Sequence, residues 1–237
     1  VNALLTGQQL GAWVGNSRTV ELDVAFGNFG LDYIGQARLL LTYAGEIEGK
    51  GRDEDDLAFL RDGWDFRNVL MAELPNGDFA FTMLRLFFYS AWLKPYYQEL
   101  MKSSDERLAA IAAKAVQEVS YHLKHSAEWV IRLGDGTEES HQRMEAALAA
   151  LWPYTAELFE TDDLDQRMVE QGIGVDPSGL RDVWDATVNH VLARATLQRP
   201  EDPWKPTGGK TGIHTEHLGY LLAEMQSMQR TYPNCEW

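Results

Sequence analysis

Residues 20–48 read VELDVAFGNFGLDYIGQARLLLTYAGEIE, a stretch without proline in which Leu22, Phe26, Phe29, Tyr33, Ala37, Leu40, Ala44 and Ile47 recur every three or four positions. That spacing lines one face of an α-helix, and an element of this length would run on the order of 40 Å at ~1.5 Å per residue. Helices so long usually belong to bundles. Period-two alternation bounded by turn residues, the mark of strands, is missing along the chain. The expected fold class is therefore all-α.

Working outward, a first helix is expected over about Ala3 to Val14, ending near Gly15 and Asn16. After the charged link Glu48 to Asp56 comes a shorter helical piece with Leu57, Phe59 and Leu60, then a break at Leu74-Pro75-Asn76-Gly77. Asp78 can cap a third long helix to about Met101, kinked at Pro95, whose Phe87, Phe88, Trp92, Tyr96 and Tyr97 point in more than one direction. Such a helix is either central or covered by another chain. Ser104 suits the N-cap of a fourth helix, Asp105 to Leu133, stopped at Gly134-Asp135-Gly136. Thr137 can cap a fifth, with Met144, Leu148, Leu151, Trp152, Thr155 and Leu158 inward and Pro153 as a second kink. Asp176-Pro177-Ser178 introduces a helix to about Leu197, and another closes the chain from about Thr215 to Thr231. Residues 1–237 read as a single domain with a Pro/Gly-rich arm at about 199–213 inside it, because no low-complexity linker or solenoid-length repeat divides them.

Composition narrows the function. With 45% hydrophobic and 11% aromatic residues among 237, the chain can fill a core. Its 36 Asp plus Glu against 21 Lys plus Arg give a formal charge of -15, a field that repels phosphate backbones and anionic lipid; nucleic acid and membrane are excluded as partners. The single cysteine, Cys235, cannot form an internal disulfide, no window reaches the roughly 18 apolar residues of a membrane span, and no signal-like segment opens the sequence. The cytoplasm is the expected location.

Carboxylate-bridged di-iron bundles place one Glu on each of two helices and a Glu-x-x-His pair on each of the other two. Residues three apart share a helix face, so carboxylate and imidazole reach one metal pair. Two segments here look like such pairs with ligands replaced. In Asp32-Tyr33-Ile34-Gly35-Gln36, Tyr33 and Gln36 stand where Glu and His are needed. In Glu118-Val119-Ser120-Tyr121-His122, Val119 replaces the Glu and His122 alone survives. Residues 1–20 contain no acid, with Gln8 and Gln9 the nearest polar candidates, and none lies between Phe79 and Gln98. A lone histidine cannot hold two irons.

These segments, together with Leu74 to Ala80, Thr155 to Phe159 and Thr207-Gly208-Gly209-Lys210-Thr211-Gly212-Ile213-His214-Thr215-Glu216-His217-Leu218-Gly219, resemble the family of bacterial phenylacetyl-CoA epoxidase C subunits, PaaC, over nearly the whole chain. The resemblance implies a ferritin-like up-down four-helix bundle with additional helices. It implies a non-catalytic, structural subunit of a multicomponent oxygenase that epoxidises the aromatic ring of phenylacetyl-CoA with O₂ and NADPH-derived electrons. No catalytic residue, metal or cofactor is then expected in this chain. Iron is expected in the catalytic A subunit, with which it would pair, and bridging and reductase subunits complete the assembly. A homodimer of the isolated chain is a further expectation.

Several residues carry two readings. Asp32, Glu118 and His122 are either a rebuilt metal site, recruiting His125 or Asp62 in a self-sufficient metal-binding enzyme or storage protein, or a buried polar cluster in which Asp32 or Glu118 pairs with His122, Gln36 or Arg38; the second is favoured because buried charges persist when paired. Gly208-Gly209-Lys210-Thr211 lacks the earlier glycine and the preceding strand of a phosphate loop. His214-Thr215-Glu216-His217 fits neither zinc arrangement, so Thr215 and Glu216 are expected to begin a helix against which the glycines pack. Phe87, Trp92 and Tyr96, with Lys210, His214 and His217, are the candidate partner interface; core is the competing reading for the aromatic residues.

Overall fold

The computed structural model describes residues 1–201, 204–233 and 235, and among them every regular element is helical. They divide into two compact units, Val1–Pro75 with Thr207–Trp237, and Asn76–Pro206. Each unit is built on a pair of helices.

In the first unit, α1 (Asn2–Gly11) packs on α2 (Val20–Glu48), which Thr19 caps through Leu22 N. The two backbones nearly touch: a Cβ on Gly7 would lie 3.0 Å from the Gly30 carbonyl oxygen. Trp13 stacks on Phe26 at 5.3 Å between ring centroids, so the chain returns antiparallel. The expected stripe on α2 holds through Leu22, Phe26, Phe29, Tyr33 and Ala37, but its last turns are corrected. Leu41 and Gly45 are buried, whereas Leu40 is half-buried, Ala44 is exposed and Ile47 is 68% exposed. Steps of four residues from Ala37 turn the buried line by about 40° each relative to the 3.6-residue repeat, towards Gly45, where the Arg52 carbonyl presses on α2 and any side chain would collide. The first helix also stops three residues early, at Gly11, leaving Val14 exposed.

The segment after α2 forms a π-turn, Asp56–Leu60, and two 3-10 turns, Gly63–Asp65 and Leu70–Glu73. The closing helix is two pieces, α8 (Glu216–Met225) and α9 (Ser227–Thr231), broken at Gln226. The Gln226 amide is buried and donates to the Ala58 and Arg61 carbonyls at 3.1 and 3.0 Å, while Arg230 bonds the Arg61 carbonyl and Asp62. Side chains of the chain's end thus hold an irregular segment that has few backbone hydrogen bonds of its own.

In the second unit, α3 (Phe79–Leu100) starts at Asp78, whose carboxylate accepts from Phe81 N at 2.9 Å and from Arg143 at 3.1 Å. A short connection folds α4 (Glu106–Gly134) back along α3, with Phe79 edge-on to Trp129. Asp105, not Ser104, is the N-cap, accepting from Arg107 N and Leu108 N; the Ser104 amide is engaged by the Gly172 carbonyl instead. Thr137 and Ser140 close the capping box of α5 (Glu138–Leu151), and all six inward residues expected there are buried. At Pro153 the α-helix gives way to the 3-10 stretch Trp152–Phe159. α6 (Asp163–Glu170) has no buried residue, and Leu164, Met168 and Val169 are its only apolar side chains. α7 (Arg181–Arg194) follows the turn at Pro177–Leu180. The core of this unit is Trp184, which donates to the Phe88 carbonyl at 3.0 Å among the rings of Phe88, Trp152 and Phe159.

α3 is the central helix of this unit: residues 82–93 are buried without interruption, under α4, α5 and α7. Of the arm, residues 202 and 203 lie outside those described; residues 209–211 form a single 3-10 turn.

Candidate functional site

On α2, Tyr33 and Gln36 are buried and Asp32 is half-buried; on α4, Val119 and His122 are buried and Glu118 is half-buried. The three-residue spacing does what helical geometry requires, putting 33 with 36, and 119 with 122, on inward faces. The side chains there are a phenol, a primary amide, an isopropyl group and one imidazole. Val119 has no donor atom at all. α1 contains no acid, and its Gln9 amide is committed to the Leu74 carbonyl at 2.8 Å. In α3 the only acid, Glu99, is exposed near the C-terminal end and pairs with Lys102. The interior of α3 instead buries a cation, Arg85, whose guanidinium burial pulls down to about 10 and which bonds the Asn76 side chain. A carboxylate-bridged iron pair needs a Glu beside each of the paired positions, and neither the 33/36 pair nor the 119/122 pair carries one, so neither half fits such a centre. Among the described residues, no three His, Cys, Asp or Glu side chains gather in a metal-holding group.

Arg38 reaches Glu54 at 3.0 Å, across the turn that follows α2. Glu118 lies 3.9 Å from Lys114, one helical turn away. Asp62 is bonded to Arg230 at the surface. His125 is half-buried, and desolvation lowers its pKa against the opposing charge of Glu128.

The candidate interface also divides. Phe87 is fully buried and Trp92 is 7% exposed, so neither offers a face to another chain. Tyr96 is half-buried against the Trp92 ring at 4.9 Å, its phenol pushed up to about 12 by burial, with the charge of Asp165 adding. Lys210 and His217 are half-buried. His214 has a partner foreseen by nothing local, Glu73, at 2.9 Å. The glycines after Thr207 do pack closely, since a Cβ on Gly212 would meet the Arg67 guanidinium and the Trp64 carbonyl. Thr215 stands at the start of α8, as expected, without a side-chain cap bond.

Sequence reasoning missed Glu73, Arg85 and Gln226, three buried polar residues that organise loops. Glu73 had a signal, a lone acid in the apolar run Val69 to Leu74. Arg85 likewise interrupts Met83-Leu84 and Leu86-Phe87-Phe88.

An all-helical chain built on paired long helices is, as a class, a ferritin-like bundle protein. A family model described as "Phenylacetic acid catabolic protein" matches residues 1–237, and the chain belongs to that family. It is also 49% identical over 236 residues, 100% of this chain and 95% of the relative, to a protein of Escherichia coli (strain K12) named as the C subunit of 1,2-phenylacetyl-CoA epoxidase.

Proposed function

We propose that this chain is the non-catalytic structural subunit of a multicomponent oxygenase that epoxidises the aromatic ring of phenylacetyl-CoA, and that it pairs with and stabilises a catalytic A subunit that holds the iron. Bridging and reductase subunits would deliver electrons from NADPH to O₂ at that partner, and the assembly would work in the cytoplasm. The observation that carries the reading is the chemistry of the inward positions: Tyr33, Gln36, Val119 and an acid-free α1 supply no anionic oxygen for iron. Full-length similarity to a protein named as an epoxidase subunit supports the choice of assembly. A partner without chemistry acts by stabilising one conformation of the chain that has it. We further read residues 1–237 as one ferritin-like domain, for which a single cooperative unfolding transition is expected.

The test is co-expression with the A subunit of the same operon, followed by metal analysis of the complex and of each chain alone. The two chains are expected to co-purify, with iron following the A subunit. Near-stoichiometric iron or manganese in this chain, lost on His122→Ala, would replace the proposal with a self-sufficient metalloprotein; failure to co-purify would remove the pairing.

A further inference from the structure

Glu73 ends the turn Leu70–Glu73 and is fully buried. Its Oε1 accepts from Thr215 N at 2.6 Å, and its Oε2 accepts from the Asn68 side-chain amide at 2.9 Å and faces His214 Nδ1 at 2.9 Å. The other ring nitrogen, His214 Nε2, faces the Phe66 carbonyl oxygen at 3.1 Å. Both ring nitrogens therefore confront acceptors. A neutral imidazole carries one N–H and can satisfy only one of them. Two such contacts require two protons, either on the ring beside a carboxylate or shared between a neutral ring and a protonated Glu73. In both cases the pair holds one proton more than a neutral imidazole beside an ionised acid.

We propose that His214 and Glu73 form a proton-held clasp that fastens the Gly-rich segment 207–215 to segment 66–73. With the proton, Thr215 N and the Asn68 N to Gly209 carbonyl bond close the same seam. Without it, a lone pair on His214 faces either the carboxylate or the carbonyl, and the seam opens. Arg61 lies over the Phe66 ring at 4.8 Å to its centroid and brings a positive charge that opposes the extra proton. Arg67 also donates to the Phe66 carbonyl, at 2.9 Å, and opposes the extra proton; Asn68 and Thr215 favour the carboxylate as neutral donors. Asp65, Lys210, Glu216 and His217 are the remaining titratable groups on these elements. The closed seam binds a proton that the open seam gives up, so closure is favoured at lower pH and is lost as pH rises.

The test is amide hydrogen exchange at Thr215 in the full chain across a pH series, with the His214 ring nitrogens and the Glu73 carboxyl carbon followed by NMR. Opening linked to one proton is expected to add up to about tenfold per pH unit to the intrinsic base-catalysed rise at Thr215, and His214→Gln is expected to abolish that excess. A Thr215 rate that follows the intrinsic rise alone overturns the clasp. So does a singly protonated His214 ring beside an ionised Glu73 at neutral pH, a reading taken on the unsubstituted protein and therefore independent of whether the variant folds.

Discussion

Replacing Glu73 by alanine removes the partner of three groups in one step: Thr215 N and the Asn68 amide, which donate to it, and His214 Nδ1, which shares a proton with it, at 2.6, 2.9 and 2.9 Å. Each buried donor left without a partner costs about 1–3 kcal/mol, so the loss should fall between about 3 and 9 kcal/mol, towards the lower figure if water enters the space. Against a total stability of about 5–15 kcal/mol that is a large fraction. Urea unfolding followed by circular dichroism and tryptophan fluorescence should show the midpoint falling by on the order of 1 M or more, given slopes of about 1–3 kcal/mol per M. Glu73→Gln should lie between wild type and Glu73→Ala, because the amide keeps one acceptor oxygen but turns an NH₂ group towards donors. A loss below about 1 kcal/mol in Glu73→Ala would refute the view that the carboxylate organises the seam between residues 66–73 and 207–215.

Three other perturbations separate close packing, hydrogen bonding and charge. Gly7→Ala sets a methyl 2.9 Å from Ile34 Cγ1 and 3.0 Å from the Gly30 carbonyl and should cost about 1–3 kcal/mol by thermal melting, whereas Gly35→Ala, with nothing within 4 Å, should gain up to about 1 kcal/mol from helix propensity. Trp184→Phe keeps most of the ring packing but loses the bond to the Phe88 carbonyl, for about 1 kcal/mol, while Trp184→Ala should cost about 3–5 kcal/mol; equal losses in the two would show that the bond, not the packing, dominates. Glu48, held at about 2 by its hydrogen bonds with Arg52, has a depressed folded-state value; its contribution is present above the ordinary value of 4.5 and is lost as pH falls towards about 2. Glu48→Gln should therefore flatten that part of the acid-unfolding profile, and an unchanged profile would show that the Arg52 contact contributes nothing.

The helices and much of their punctuation could be read from the chain because their causes are local. Asp78 and Thr137 bond amides three residues away, and the inward face of α5 follows from a period of 3.6, so both needed only adjacent sequence. Ser104 failed as a cap because its hydroxyl turns to the Gln171 carbonyl, 67 positions later, and the Asp105 carboxylate takes the amides of Arg107 and Leu108. α6 escaped notice because, at 8 residues with only Leu164, Met168 and Val169 apolar, it is too short for a helical period to stand out.

The replacement of ligand types at Tyr33, Gln36 and Val119, and the absence of acids from α1, are properties of the sequence by itself, since no folding can give valine a metal-binding atom. What the tertiary structure decided is which polar residues share a burial site. Arg38 found Glu54 across the following turn, Phe87 and Trp92 went into the core, and His214 met a carboxylate 141 positions earlier. Helical periodicity fixes a side chain's direction about its own axis. The group it meets depends on where another element of the chain is packed, and no local pattern encodes that.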